Sequence, residues 1–205
     1  MTIFERRERE KRALREEILS AASQLFVEQG YDNVSMRKIA DRIHYSPTAI
    51  YLHFKDKSEL LRSICEETFS KLSAKLETLT RKGEAEGADP VEILRKGLQA
   101  YVEFGLAHPG HYSVTFLTPH KHDDDDEDAY KLGLTTFGYL ERCVERCIRE
   151  ERFGDDDVAE TSQALWAAVH GVTALLIQCE GFPFVSSKKL IRRVIGTMID
   201  GLVRR

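Results

Sequence analysis

The stretch that decides the fold is residues 35–54, SMRKIADRIHYSPTAIYLHF. Apolar residues recur at helical spacing from Met36 to Ile43, which predicts a helix with one buried face and with its basic residues outside. Ser46 and Pro47 then form a new helix start, because serine caps a helix N-terminus and proline suits the first helical position. The stretch therefore predicts two short helices joined by a tight turn.

Such a pair has the size and polarity of a DNA-binding helix-turn-helix, whose second helix enters the major groove. Ser35 is predicted to cap the first helix, and Lys38 replaces the acid of a capping box, so this helix start suits a phosphate. Small side chains around Thr48 allow a close approach to base edges, while Tyr51 and His53 are placed to reach phosphates. The predicted DNA contacts are Ser35, Arg37, Lys38, Ser46, Pro47, Thr48, Ala49, Tyr51, His53 and Lys57.

A long helix is predicted to follow. Asp56 and Glu59 have the spacing of a capping box, and Lys57 between them is placed to pair with the DNA backbone. The apolar pattern continues until Gly83 and Gly87, which are expected to stop the helix. A helix of about 25 residues spans roughly 37 Å and would join two halves of the chain.

The run from Ile18 to Leu61 resembles the N-terminal domain of the tetracycline-repressor (TetR) family of bacterial regulators. The resemblance rests on the Gly30-Tyr31 break, Ser35 as cap, Ile39-Ala40 and Tyr51-x-His53-Phe54-x-x-Lys57. It implies a homodimeric, all-helical repressor that a ligand releases from DNA. Repression and activation are both compatible with the sequence.

A second resemblance lies in the C-terminal half. Trp166, His170 and Gly171, with His108-Pro109 upstream, are similar to the regulatory domain of a TetR branch named for its Trp-His-Gly signature. The region after Asp89 shows only helical periods, with later helices predicted at about 128–153, 156–180 and 187–203.

The chain is thus predicted to be all-α, with two domains. Residues 1–62 form a three-helix helix-turn-helix DNA-binding domain, and residues 63–205 form a larger helical ligand-binding and dimerisation domain. The last two helices are apolar on more than one side, and the resemblance implies that they pair with their symmetry mates. The predicted dimer contacts are Leu165, Val172, Leu176, Ile195, Met198, Ile199 and Leu202.

Aromatic and polar side chains on the C-terminal helices predict a cavity for a small apolar or aromatic effector. Each of these side chains also fits a place in the core, and His170 fits a structural role at the Trp-His-Gly segment. The absence of a basic cluster among them argues against a phosphorylated effector. The predicted ligand contacts are Tyr101, Phe104, Tyr112, Phe116, Phe137, Trp166 and His170, with Tyr139 beside them.

Composition excludes several other classes. The net charge is −4 and the excess of acids falls after residue 62, so the chain is no general polyanion binder and any DNA contact is local. No signal peptide or membrane-spanning run is evident, which predicts a cytoplasmic protein with no membrane partner. No nucleophile elbow, phosphate loop or metal-spaced histidine pair points to an enzyme, and no cofactor or metal is expected.

Three features leave alternatives open. Cys143 and Cys147 lie one turn apart, and His120 to Asp128 is an acidic run, so a metal- or thiol-redox-responsive regulator on the same DNA-binding fold is the second hypothesis. The basic residues between Thr2 and Glu17 belong either to a solvated helix or to a contact with DNA phosphates.

Overall fold

The computed structural model describes residues 2–118 and 127–204, apart from the side chains of residues 127 and 128. Most of the acidic run at residues 120–128 lies outside them. The described part holds nine α-helices, and no strand beyond an isolated bridge between Phe153 and Val203, which confirms the predicted all-α class. The helices are α1 (Ile3–Gln29), α2 (Met36–Arg42), α3 (Pro47–Tyr51), α4 (Lys57–Ala85), α5 (Pro90–Ala107), α6 (Pro109–Tyr112), α7 (Glu127–Arg149), α8 (Val158–Gln178) and α9 (Ser187–Leu202).

Contacts divide the chain into two compact units. The first contains Met1–Thr68 and Gly110–Ala129, and the second contains Phe69–Pro109 and Tyr130–Arg205. Helix α4 contributes residues to both. The functional boundary at residue 62 stays a prediction. Within the described ranges, no helix carries an apolar run suited to crossing a bilayer.

The first unit is built on a buried stripe of α1. Ile18, Leu25 and Phe26 are buried against the apolar faces of α2 and α3, where Ile39 and Ile50 are fully enclosed. Gly30, the glycine of the Gly30-Tyr31 break, follows α1 with φ 79° and ends the helix. Each large aliphatic or aromatic side chain buried here contributes about 1.5–3 kcal/mol, so this small core orients the two short helices.

The second unit is organised around α5, which packs against both α8 and α9. Asp89 caps α5 by accepting a hydrogen bond from the N–H of Val91 at 2.9 Å, and Pro90 occupies the first turn. Four predicted dimer contacts are buried within this single chain. They are Leu165, Val172, Ile195 and Ile199. Because the intramolecular core already covers these side chains, they have little surface left for a partner.

Helix α4 continues beyond the residue expected to stop it. Gly83 lies inside the helix, which runs to Ala85, and Gly87 takes the positive φ of 65°. A Cβ at Gly83 would lie 2.7 Å from Cγ1 of Ile93. This glycine therefore allows close packing of α4 against α5 and is no helix terminator.

Gly83→Ala is expected to destabilise the protein by about 1–3 kcal/mol, because the buried Ile93 would have to move. The matched control is Gly97→Ala in α5, where a Cβ meets nothing within 4 Å and should stabilise the helix by up to about 1 kcal/mol. Urea unfolding followed by circular dichroism measures both changes. Equal unfolding midpoints for the two variants would contradict the packing role.

Candidate nucleic-acid interface

The turn between α2 and α3 has a defined geometry. Tyr45 donates its backbone N–H to the carbonyl of Ala40 at 3.0 Å, and His44 donates its own to Asp41 at 3.3 Å. This pair of bonds is a Schellman motif, which usually places glycine where the chain takes a left-handed conformation. Here His44 takes that position, with φ 59°. The motif ends α2 and sets the direction of α3.

Helix α3 begins as the sequence predicts. The Ser46 hydroxyl accepts a hydrogen bond from the N–H of Ala49 at 3.2 Å, and Pro47 occupies the first turn. Ile50 is buried, whereas Thr48 is exposed and the Tyr51 side chain is 55% exposed. The short helix therefore presents small and hydrogen-bonding side chains on its outer face.

The basic residues of α2 differ in their surroundings. Lys38 donates to the side-chain oxygen of Gln29 at 2.9 Å and to the carbonyl of Asn33 at 2.8 Å. Arg37 is exposed, and the described residues supply no ion pair or hydrogen bond to its side chain. At the start of α2, the Ser35 hydroxyl accepts from the N–H of Lys38 at 3.3 Å, as predicted for the cap. Both residues are exposed, so of these two predicted cationic contacts Arg37 is the one whose side chain has no partner among the described residues.

Arg42, at the end of α2, joins this helix to α1. Its Nη1 and Nη2 donate to the two carboxylate oxygens of Glu28, at 3.2 Å and 2.6 Å. The Arg42 guanidinium holds the pKa of Glu28 below its usual range. A two-point contact of this kind fixes geometry even where an exposed ion pair adds little stability.

Lys57 also has an intramolecular partner. Its ammonium donates to the carbonyl of Tyr31 at 2.6 Å and lies 4.1 Å from the centre of the Tyr31 ring. The residue thus connects the start of α4 to the turn after α1. An ammonium has three donors, so a phosphate can still be a second partner.

The start of α4 is capped by Asp56, whose side chain accepts a hydrogen bond from the N–H of Glu59 at 2.8 Å, as the capping box predicts. The Glu59 carboxylate, however, accepts from the N–H of Lys55.

His53 is half-buried at the end of this motif. Burial lowers its pKa, and the positive charges of Lys11 and Arg15 lower it further. Both effects favour the neutral imidazole in the protein before DNA binds. Lys11 and Arg15 belong to α1, so this helix brings basic side chains near His53.

Two exposed side chains beside α3 escaped the sequence analysis. Leu52 is 79% exposed, and Tyr45 is also exposed. The spacing of apolar residues could not show whether these two side chains are buried or exposed, because α3 is only five residues long. Tyr45 precedes α3 and Leu52 follows it, and their exposure as large side chains at its two ends brings them into the candidate interface.

The second unit contains an aromatic cluster. Tyr101 accepts a hydrogen bond from Nε1 of Trp166 at 3.2 Å, and its hydroxyl lies 3.3 Å from Nδ1 of His170. The ring of Phe137 meets Trp166 edge-on, with centroids 5.8 Å apart. Burial lowers the pKa of His170, so its neutral ring can accept a hydrogen bond from the Tyr101 hydroxyl. Four of the predicted ligand contacts are thus brought together.

The other predicted ligand contacts are distributed differently. Phe104 is buried in α5, where its ring lies 4.9 Å from that of His108. Tyr112 and Phe116 belong to the first unit, with ring centroids 4.8 Å apart, and Tyr112 is fully buried. Trp166, His170 and Gly171 all lie within the continuous helix α8.

Comparison with known protein families shows to which family this chain belongs. A family model described as "Bacterial regulatory proteins, tetR family" matches residues 18–64, and one described as "Tetracyclin repressor-like, C-terminal domain" matches residues 94–198, about half of the chain. The chain belongs to the TetR family. The Trp-His-Gly branch stays a prediction, because neither description names it.

Individual relatives of this TetR-family chain agree. It is 29% identical over 153 residues to a protein of Shigella flexneri named HTH-type transcriptional regulator AcrR, a match that covers 72% of the chain and 70% of the relative. It is 39% identical over 67 residues to an uncharacterized HTH-type transcriptional regulator of Haemophilus influenzae, which covers 33% of the chain. That match spans only 36% of the Haemophilus protein's own length.

Solved structures show the same fold. The TetR-family regulator PfmR from Thermus thermophilus superposes with a TM-score of 0.76 at 23% identity, over 91% of this chain and 99% of that one. At this identity the likeness establishes the fold alone. It agrees with the predicted N-terminal helix-turn-helix and larger C-terminal helical domain.

The thiol or metal alternative finds little support in the geometry. Burial raises the pKa of Cys143, and burial raises the pKa of Cys147 to about 12, so both thiols stay protonated at neutral pH and react slowly. In the described ranges, no group of three histidine, cysteine or acidic side chains is placed to hold a metal ion.

His44→Gly is expected to stabilise the protein by about 0.5–1 kcal/mol, because glycine removes the steric cost of the left-handed conformation. Arg37→Gly, at an exposed helical position nearby, should instead cost about 0.8 kcal/mol. Thermal unfolding at equal protein concentration measures both. A lower melting temperature for His44→Gly would contradict the assigned turn geometry.

Acidification is expected to lower the free energy of unfolding, in part through His170. Its lowered pKa means that the unfolded chain takes up a proton more readily than the folded chain, so stability falls as the pH drops below the ordinary histidine pKa of about 6.5. His170→Gln should reduce this fall between pH 7.5 and 5. The urea midpoints of both proteins at both pH values measure this loss of stability. An equal fall in the variant would show that His170 does not contribute to it.

Proposed function

We propose that this TetR-family chain is a transcriptional repressor that binds a palindromic operator as a homodimer and leaves it when a small molecule binds the C-terminal domain. The observation that carries the proposal is the outer face of α3. It is capped at Ser46, fixed by the turn at His44, and presents Thr48 and Tyr51 to solvent.

The proposed DNA contacts have different roles. Thr48 and Ala49 are small enough to let α3 approach base edges, and Tyr51 reaches bases or the adjacent backbone. Ser35 and Arg37, at the start of α2, are assigned to a phosphate, because the N-terminus of a helix carries free N–H donors and partial positive charge. Phosphate contacts fix the register, whereas base contacts supply sequence preference.

Lys38 and Lys57 take part in a second way. Each ammonium already bonds a backbone carbonyl close to the end of α1. We assign them first to holding the motif together, with phosphate as an additional partner. Their removal should therefore reduce stability as well as DNA affinity, which distinguishes them from Arg37.

The homodimer is supported by apolar surface on the last two helices. Leu175 is 50% exposed and Trp166 is 38% exposed, while Leu176, Met198 and Leu202 are half-buried. The proposed contacts therefore keep Leu176, Met198 and Leu202 from the sequence prediction and add Leu175 and Trp166 in place of the four buried residues. A dimer also meets a requirement of recognition, because one five-residue helix contacts few bases and two related helices address two half-sites about one helical turn apart.

The effector is proposed to be an apolar or aromatic small molecule near the cluster of Tyr101, Phe137, Trp166 and His170. Aromatic walls with a few converging hydrogen-bonding groups are typical of ligand sites between helices. Release then needs ligand and DNA to bind antagonistically, with a coupling of about 1–3 kcal/mol. Helix α4 is one continuous helix that can transmit such a change.

Two consequences follow from this proposal. A regulator that binds DNA is expected in the cytoplasm, and no catalytic step is required of it. A redox-responsive regulator would need reactive thiols, whereas the pKa values of Cys143 and Cys147 are both raised by burial.

The test is fluorescence anisotropy on a duplex obtained by selection from random sequences, compared with a scrambled duplex at physiological salt. The wild-type protein should prefer the selected duplex by roughly a thousandfold or more. Tyr51→Ala should weaken binding to the selected duplex without changing the melting temperature. Tyr130→Ala, at a tyrosine of α7 that is 62% exposed, is the matched control and should bind like the wild type.

Unchanged affinity of Tyr51→Ala would show that the contact face of α3 is assigned wrongly. Equal, weak and salt-sensitive binding of the wild type to both duplexes would contradict the operator function itself. Such binding is what attraction between basic side chains and DNA phosphates produces without any sequence preference.

A further inference from the structure

A cavity of about 340 Å³ lies in the second unit, between α4, the start of α5 and the second half of α7. Of the predicted ligand side chains, Tyr139 lines it, whereas Tyr101, Phe137, Trp166 and His170 do not. Its walls include Arg81, Glu84, Ile93, Tyr139, Arg142 and Arg146. The cavity is therefore a site separate from the aromatic cluster.

The lining of this cavity favours an anion. Its walls carry three arginines and two glutamates, Glu77 and Glu84, which leaves one positive charge in a chain whose net charge is −4. Arg142 and Arg146 lie one turn apart on α7, so both guanidinium groups project to the same side of the helix. The planar fork of arginine matches a carboxylate in two-point contacts.

Arg146 is held in place but is not fully paired. Its Nε donates to a carboxylate oxygen of Glu150 at 2.7 Å, which orients the guanidinium. Its Nη1 is enclosed and has no hydrogen-bond partner among the described residues. It forms an ion pair with Glu84, whose carboxylate oxygen lies 3.6 Å away, beyond hydrogen-bond distance. The Glu84 side chain is 52% exposed, so it can turn to water and give its place to a ligand carboxylate.

The remaining walls suit a ring. Ile93 and Pro90 are buried apolar side chains, and Tyr139 lies with its ring centre 4.4 Å from the Arg142 guanidinium carbon. A volume of about 340 Å³ lies near the lower end of the range of about 300–1,000 Å³ that is usual for ligand pockets. A ligand of about ten non-hydrogen atoms fits that space.

We propose that this cavity binds a small aromatic carboxylate, with the carboxylate at Arg142 and Arg146 and the ring between Ile93 and Tyr139. The proposal does not depend on DNA binding, because every residue that carries it lies in the second unit and the site is tested by direct binding.

The test is isothermal titration calorimetry of the full chain with benzoate, with neutral benzamide and with inorganic phosphate. Benzoate should bind once per chain, and more tightly than either of the others. Arg146→Gln and Arg142→Gln should each weaken benzoate binding by about tenfold or more. The control, Arg149→Gln, removes an exposed arginine of the same helix outside the cavity and should bind like the wild type.

Melting temperatures are measured alongside, because Arg146 also pairs with Glu150. Arg142 is exposed, so Arg142→Gln keeps the test decisive if Arg146→Gln unfolds. Equal binding of benzoate and benzamide would overturn the role of the charge, and stronger binding of phosphate would overturn the aromatic ligand. No benzoate binding at millimolar concentration, or equal effects of Arg142→Gln and Arg149→Gln, would overturn the site.

Discussion

The hydrogen bond from the Tyr45 N–H to the Ala40 carbonyl is the constraint on which the candidate DNA interface depends. It can form only because His44 accepts a left-handed conformation that costs an ordinary residue about 1–2 kcal/mol. The bond ends α2 at Arg42, so that α3 can begin at Pro47. Ile50 then enters the core, while Thr48 and Tyr51 remain outside.

The charges around this motif are largely used to build it. Arg42 bonds Glu28, and Lys38 and Lys57 bond backbone carbonyls near the end of α1. Much of the positive charge therefore positions the helices before any DNA arrives. This arrangement reduces general attraction to phosphates and makes shape and dimer spacing more important, in agreement with a chain of net charge −4.

Local signals in the sequence predicted much of the fold and of the candidate interface. The caps at Ser35 and Ser46, the proline start of α3 and the end of α1 at Gly30 each depend on one or two neighbouring residues, so they can be recognised without the tertiary structure. Gly83 could not be interpreted this way. Its role depends on Ile93, a residue of another helix, and an isolated glycine looks the same at a close approach as at a helix end.

The predicted dimer contacts also depend on tertiary packing, which the sequence pattern alone does not reveal. Apolar residues on two faces of α8 and α9 indicate two packing partners, but the sequence does not say which face is covered by the chain's own α5. The structure assigns Leu165, Val172, Ile195 and Ile199 to the internal core. The partner of Lys57 was equally hidden, because a backbone carbonyl 26 residues away leaves no trace in the sequence pattern.

The most direct measurement of the central claim is hydroxyl-radical footprinting of the full chain on a duplex enriched from random sequence. A dimer that places two α3 helices in successive major grooves predicts an inverted repeat, with two protected patches about one helical turn apart on each strand. A single protected patch would contradict the dimeric arrangement. Failure to enrich any sequence would contradict the claim that α3 recognises DNA.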